Sequence, residues 1–105
     1  MIARTWRGRA SNGKADDYQR HFVNTVVQNL KSIPGNKGAY LLRRVANGEV
    51  EFLALTLWDS IDTIKRFSGD DPGVAHVEPE GRAALSEFDD FAHNYEIVCS
   101  TVGGA

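Results

Sequence analysis

The chain has a single cysteine among its 105 residues. An internal disulfide and a cysteine-based zinc site are therefore both excluded. Cys99 lies near the end of the last apolar run, which predicts a buried structural thiol. Charge of one sign is also lacking: 12 Lys and Arg face 14 Asp and Glu, for a net charge of −2. The one-sided basic surface that nucleic acid binding needs is absent. No apolar run approaches the roughly 20 residues of a membrane span. The N-terminus carries Arg4, Arg7 and Arg9 without the apolar stretch of a signal peptide, so a cytoplasmic location is expected. There is no repeat, low-complexity tract or linker, and a single domain over 1–105 is expected. Neither a Gly-x-Ser-x-Gly elbow nor a glycine-rich phosphate loop occurs.

What is present is a close succession of elements. Residues 2–9 alternate as a strand containing Trp6, and Ser11-Asn12-Gly13 reads as a turn. Residues 15–32 repeat apolar positions at helical spacing (Tyr18, Phe22, Val26, with Val23, Val27 and Leu30). Asp16 and Asp17 suit that helix's start and Lys31 its end; Pro34-Gly35 stops it. Residues 38–46 and 49–58 are predicted strands joined by Asn47-Gly48, the signature of a two-residue type I′ hairpin. That turn sets the register and places Arg44 opposite Glu51.

The segment from Glu49 to Gly69 carries the most information. Its strand is apolar on both faces: Phe52, Ala54, Thr56 and Trp58 on one, Leu53, Leu55 and Leu57 on the other. An antiparallel strand in a small domain usually keeps one face wet. Two covers are needed here, one from the chain's own helices and one from a second copy or a ligand. Ser60 caps a following helix with an Ile61, Ile64, Phe67 stripe. Pro79 opens a second short helix over 79–87, and 91–99 reads as the last strand. The order β-α-β-β-α-β is that of a ferredoxin-like α+β domain, with a four-stranded antiparallel sheet and both helices on one face. The leucine-rich face makes a sheet-on-sheet homodimer the simplest second cover.

These motifs together resemble the antibiotic biosynthesis monooxygenase family of the dimeric α+β barrel superfamily. The matching residues are Trp6-Arg7-Gly8, Pro34 to Gly38, Arg44, Glu51-Phe52, Thr56 to Ser60, Ile64, Phe67 to Gly69, Ala75, Pro79, Leu85 and Tyr95-Glu96. The resemblance implies a dimeric barrel and one of several activities: oxygenation of polycyclic phenols, quinol oxidation, haem degradation or lactone isomerisation. Where relatives carry His-Tyr-Glu, this chain has Asn94-Tyr95-Glu96, with His93 on the opposite face. The haem-degrading branch uses an Asn in strand one, a Trp in the second helix and a later His; the nearest positions here are Trp6, Phe67 and His76.

The leading expectation is a cofactor-independent monooxygenase acting on a small phenolic, anthrone or quinol-like aromatic compound. A deprotonated, electron-rich phenol reduces oxygen itself, so the protein need supply only a dry cavity, a proton handler and aromatic walls. Trp6, Arg43, Phe52, Thr56, Trp58 and Phe67 are the expected substrate-binding residues, with His76 or Tyr95 handling the proton. For Phe52, Ala54 and Trp58 the alternative is ordinary core beneath the helices. Arg43 either meets an anionic ligand or snorkels from an edge. His21 is expected at the surface. Asp70, Asp71 and His76 read as a solvated loop, and no metal is expected. The alternative function is a non-catalytic domain that binds a small hydrophobe or acts by dimerisation; haem binding stands third.

Overall fold

The computed structural model describes residues 1–102; the last three residues of the expected domain lie outside them. Strand β1 (Ile2–Ala10) leads to α1 (Asn12–His21), a π-helical turn (Phe22–Val26) and α2 (Val27–Lys31). Then follow β2 (Asn36–Ala46), β3 (Glu49–Trp58), α3 (Ile61–Ser68), α4 (Pro79–Ala84), β4 (Glu87–Phe88) and β5 (His93–Glu96). Among the described residues the sheet is antiparallel and five-stranded, ordered β2-β3-β1-β4, with β5 also on β1. This is the expected α+β architecture, with the helices over one face.

Several local expectations need correcting. The last strand, expected over 91–99, spans only His93–Glu96, and a separate two-residue strand, Glu87–Phe88, precedes it. Gly8 opposes Phe88, but Thr5 opposes His93, so the register slips by two residues between them. Residues 89–92 bulge away to make long-range bonds: the Asp89 carbonyl accepts from Trp6 Nε1 at 2.7 Å, and Ala92 N–H donates to Gly73 at 3.0 Å. Cys99 lies beyond the sheet and is exposed. The first helix starts earlier than 15–32 implied. Ser11 is its N-cap residue, and its carbonyl accepts from Lys14 and Ala15 N–H. Asp16 and Asp17 therefore lie beyond its first turn and pair with Arg43 and Arg20. The second short helix ends at Ala84 rather than 87, yet Leu85 and Phe88 still pack on the core.

The hairpin register is the one Asn47-Gly48 dictates. Asn47 and Gly48 both have positive φ (54° and 78°), Arg44 faces Glu51 and Leu42 faces Leu53. Ser60 caps α3 through a reciprocal box with Thr63, each side chain accepting from the other's backbone N–H at 3.3 Å. Gly35, at φ +97°, sits against Thr63, where a Cβ would come within 2.4 Å of Thr63 Cγ2. The loop before β2 therefore docks on α3 only through glycine.

The π turn has a packing consequence. Tyr18, Phe22, Val26 and Leu30 are spaced four apart, a repeat that drifts about 40° per step around an α-helix. The wider turn offsets part of that drift. All four residues consequently reach the same cavity.

Two apolar clusters lie between sheet and helices. One joins Trp6, Ala10, Tyr18, Phe22, Val50, Phe52 and Ala54; the other joins Leu30, Trp58 and Ile64. The outer face is different. Leu53, Leu55 and Leu57 are half-buried there, whereas Tyr40, Leu42 and Tyr95 are exposed. At one end Glu51, only 6% exposed, is held between Arg7 at 2.9 Å and Arg44 at 2.5 Å.

Candidate functional site

Strand parity places Arg4 and Trp6 of β1 beside Ala54 and Thr56 of β3, all facing the helices. Tyr18, His21, Phe22, Val26 and Leu30 come down from the first helix. Phe67 arrives from α3, and His76, Val77 and Glu78 from the irregular segment before α4. These side chains enclose a cavity of about 50 Å³, partly open to solvent. Gly8 lets the indole of Trp6 lie along β1, since a Cβ there would stand 2.9 Å from Trp6 Cη2.

The cavity is small. An apolar cavity of roughly 150 Å³ accommodates benzene, so a ring enters here only if part of the wall moves. The segment His76–Glu78 forms one wall, with Val77 packed on the core and the Glu78 carbonyl accepting from Arg82 N–H at 3.0 Å. It belongs to no helix or strand, and two exposed side-chain bonds also hold it: Arg82 Nε donates to the Val77 carbonyl and Asn29 Nδ2 to Glu78, each at 3.1 Å. Two larger hollows are shallower and more open: one of about 330 Å³ beside Arg7, Arg44 and Glu51 on the outer face, and one of about 380 Å³ among Val74, Val77, Arg82, Phe88 and Phe91.

Trp6, Thr56, Phe67 and His76 line this cavity together; the other four expected site residues do not. Phe52 and Trp58 are fully buried core. Phe52 packs on Tyr18 at 5.0 Å between ring centroids, and Trp58 packs on Phe67 at 6.0 Å. Arg43 shares their face, as parity required, but is taken by α1. Its guanidinium donates to Gln19 at 2.7 Å and Asp16 at 3.2 Å and lies 5.5 Å over the Phe52 ring. Tyr95 opposes Ala3 on the outer face and is 56% exposed, away from the cavity.

Both buried indoles have their N–H satisfied. Trp6 donates to Asp89, and Trp58 donates to Thr56 Oγ1 at 2.8 Å. The second bond fixes Thr56 as an acceptor toward Trp58, which leaves its own hydroxyl proton free to donate into the cavity. His76 sits exposed at the mouth, its ring edge-on to Phe67 at 5.1 Å. It has access both to the cavity and to bulk water for proton exchange.

Four polar members of the lining were not expected from the sequence: His21, Tyr18, Arg4 and Glu78. His21, expected at the surface, is 8% exposed because α1 rotates it into the stripe of Tyr18 and Phe22 and packs it on Gly81. Its Nδ1 lies 3.3 Å from Glu80 but makes no well-aligned hydrogen bond. Burial raises the Tyr18 phenol above its ordinary value. Arg4 is 5% exposed; it donates to the Val74 carbonyl at 2.8 Å and lies 5.7 Å from the Phe67 ring, while its Nε has no partner. Burial lowers its pKa to about 10, so it stays cationic at neutral pH. The spacing of Arg4 to Trp6 and of Tyr18 to His21 and Phe22 was the signal that could have placed them. Among the described residues, no three His, Cys, Asp or Glu side chains converge on a metal position.

No protein-family model matches the chain, and no curated protein matches it. Solved structures do. A point variant of MhuD with two manganese protoporphyrin IX per active site superposes with a TM-score of 0.70 at 17% identity, covering 98% of this chain and all of the other. The haem degrader MhuD from Mycobacterium tuberculosis, with two haems in its active site, gives 0.65 at 16% identity over 97% of this chain and 100% of that one. A Deinococcus radiodurans protein provisionally assigned as an antibiotic biosynthesis monooxygenase gives 0.66 at 15% identity over 95% of each. At these identities the likeness shows the fold: over the described residues the chain has the ferredoxin-like α+β architecture of these proteins.

Proposed function

We propose that the chain is a cofactor-independent monooxygenase for a small phenolic, anthrone or quinol-like aromatic compound. The observation that carries this reading is the cavity. Trp6 and Phe67 give aromatic walls, Thr56 offers a free hydroxyl proton, and His76 stands where it exchanges protons with solvent. In the proposed reaction the substrate loses a proton to His76 and its anion transfers electrons to oxygen. At an anthrone methylene, one oxygen atom becomes the new carbonyl and the other leaves as water, all electrons coming from the substrate. The protein contributes orientation, a dry site and proton transfer.

Homodimerisation through the outer face belongs to the same proposal, because Tyr40, Leu42, Leu53, Leu55 and Tyr95 form a broad apolar surface there. The test is oxygen consumption with anthrones and quinols, without added metal or flavin, in the wild type and in His76→Ala. No turnover of any of them would sink the catalytic reading. Ligand binding without turnover would instead favour a non-catalytic small-hydrophobe-binding domain.

Haem is the weaker reading. MhuD binds it, and His76 here is a possible iron ligand by chemistry, but a cavity of about 50 Å³ does not fit a porphyrin. Admitting one requires parting the first helix from the sheet, not only shifting His76–Glu78. Haemin addition that produced no Soret band sensitive to His76→Ala would remove this reading.

A further inference from the structure

Arg4 is a buried cation without an anion. Among the described residues no carboxylate forms an ion pair with it, and desolvation is the sole cause of its lowered pKa. Among the described residues the only carboxylate in the cavity lining, Glu78, is bonded to Asn29 instead. Isolated buried charges are costly, and proteins ordinarily pair them. Here one guanidinium edge is used on Val74 and the face lies near Phe67, while Nε–H has no acceptor. Across the strands, Arg4 opposes Thr56 on one side and Asn94 on the other. Asn94 donates to the Pro72 carbonyl, and its own Oδ1 is buried without a partner. The cationic end of the cavity is thus already oriented, with donor capacity unspent.

We propose that Arg4 is an anion clamp, and that the cavity takes its ligand as an aromatic oxyanion, a phenolate or carboxylate accepting from the Arg4 guanidinium. The assignment rests on the small-aromatic reading of this cavity and narrows its ligand class. The clamp also explains the wall composition: a flat ring stacks beside Trp6 and Phe67 while its charged oxygen meets Arg4. The titratable groups around the same space are Tyr18, His21, His76 and Glu78. Stability and function then oppose each other at Arg4, as they often do at binding sites.

The experiment uses one-ring probes on the full chain, read by the fluorescence of Trp6 and checked by calorimetry. Benzoate and benzamide have nearly the same shape and differ in charge; 4-nitrophenol ionises near neutrality. A charge-assisted bond to a buried guanidinium predicts benzoate over benzamide by about 10- to 100-fold. Arg4→Gln is expected to bring that ratio close to one. Benzoate affinity should stay level across neutral pH, whereas 4-nitrophenol affinity should rise with its own ionisation. Whichever probe depends on Arg4 identifies the oxyanion.

Arg4→Met supplies the second readout. It keeps the length of the side chain and removes the unpaired charge, so the melting temperature should hold or rise while anion preference disappears. Equal binding of benzamide and benzoate by the wild type would overturn the clamp and leave the pocket reading standing. A steep loss of stability in Arg4→Met would likewise overturn it, since that marks a structural arginine. Binding of none of the probes would overturn both readings. Silent oxygen consumption with anion preference intact would sink only the oxygenase.

Discussion

Thr56→Val is the most informative single substitution, because it separates two jobs of one hydroxyl. Thr56 Oγ1 accepts from Trp58 Nε1 at 2.8 Å, with Thr56 8% exposed and Trp58 fully buried. Valine keeps the branched shape but removes the acceptor, leaving the indole N–H in apolar surroundings. A buried donor left unpaired costs about 1–3 kcal/mol. For a domain of this size each kcal/mol lowers the melting temperature by about 4–8 °C.

Urea unfolding followed by tryptophan fluorescence gives the free energy directly. Trp58→Phe removes the donor instead, at its own packing cost. In the double variant neither partner remains, so its loss should fall short of the sum of the single losses by about 1 kcal/mol or more. Ligand affinity should fall in Thr56→Val and stay low in the double variant, because the donated proton is gone from both. A Thr56→Val cost below about 0.5 kcal/mol, the scatter of ordinary surface changes, would refute the account. Strict additivity of the two substitutions would refute it too.

Gly35→Ala should destabilise by about 1–3 kcal/mol from its positive φ alone, and further from the close approach to Thr63; denaturant unfolding measures it. Gly8→Ala should push the Trp6 ring across the cavity and weaken one-ring ligands in a binding titration, with a smaller effect on stability. His76→Ala should leave stability nearly unchanged, since the side chain is exposed, and reduce turnover about 10²- to 10⁴-fold in an oxygen electrode if it handles the proton. The hydrogen bond from Arg44, opposed by desolvation and aided by the nearby arginine charges, lowers the Glu51 carboxyl from its ordinary 4.5. Its stabilisation is therefore complete above pH 4.5 and is lost as pH falls through the lowered folded value. The stability gap between wild type and Glu51→Gln should be constant above pH 4.5 and close below it.

Much of the chain was legible before folding, and for local reasons. Asn47-Gly48 sets a hairpin whose register follows by counting, and strand parity then sorts Phe52 from Leu53 and Thr56 from Leu57. Ser60 and Thr63 cap α3 within a single turn. The α+β order and the helix-covered face followed from such short-range rules, as did the sheet face on which Trp6 and Thr56 lie. Tertiary structure decided the remainder. Whether Arg43 meets a ligand or α1, whether His21 faces water or Gly81, and where the last strand breaks all depend on partners distant in sequence. Arg4 reaches Val74 and Trp6 reaches Asp89 across 70 and 83 residues. Periodicity says which face a side chain occupies; it does not say what stands opposite. The unpaired charge of Arg4 is visible only once every carboxylate of the described residues has been placed elsewhere.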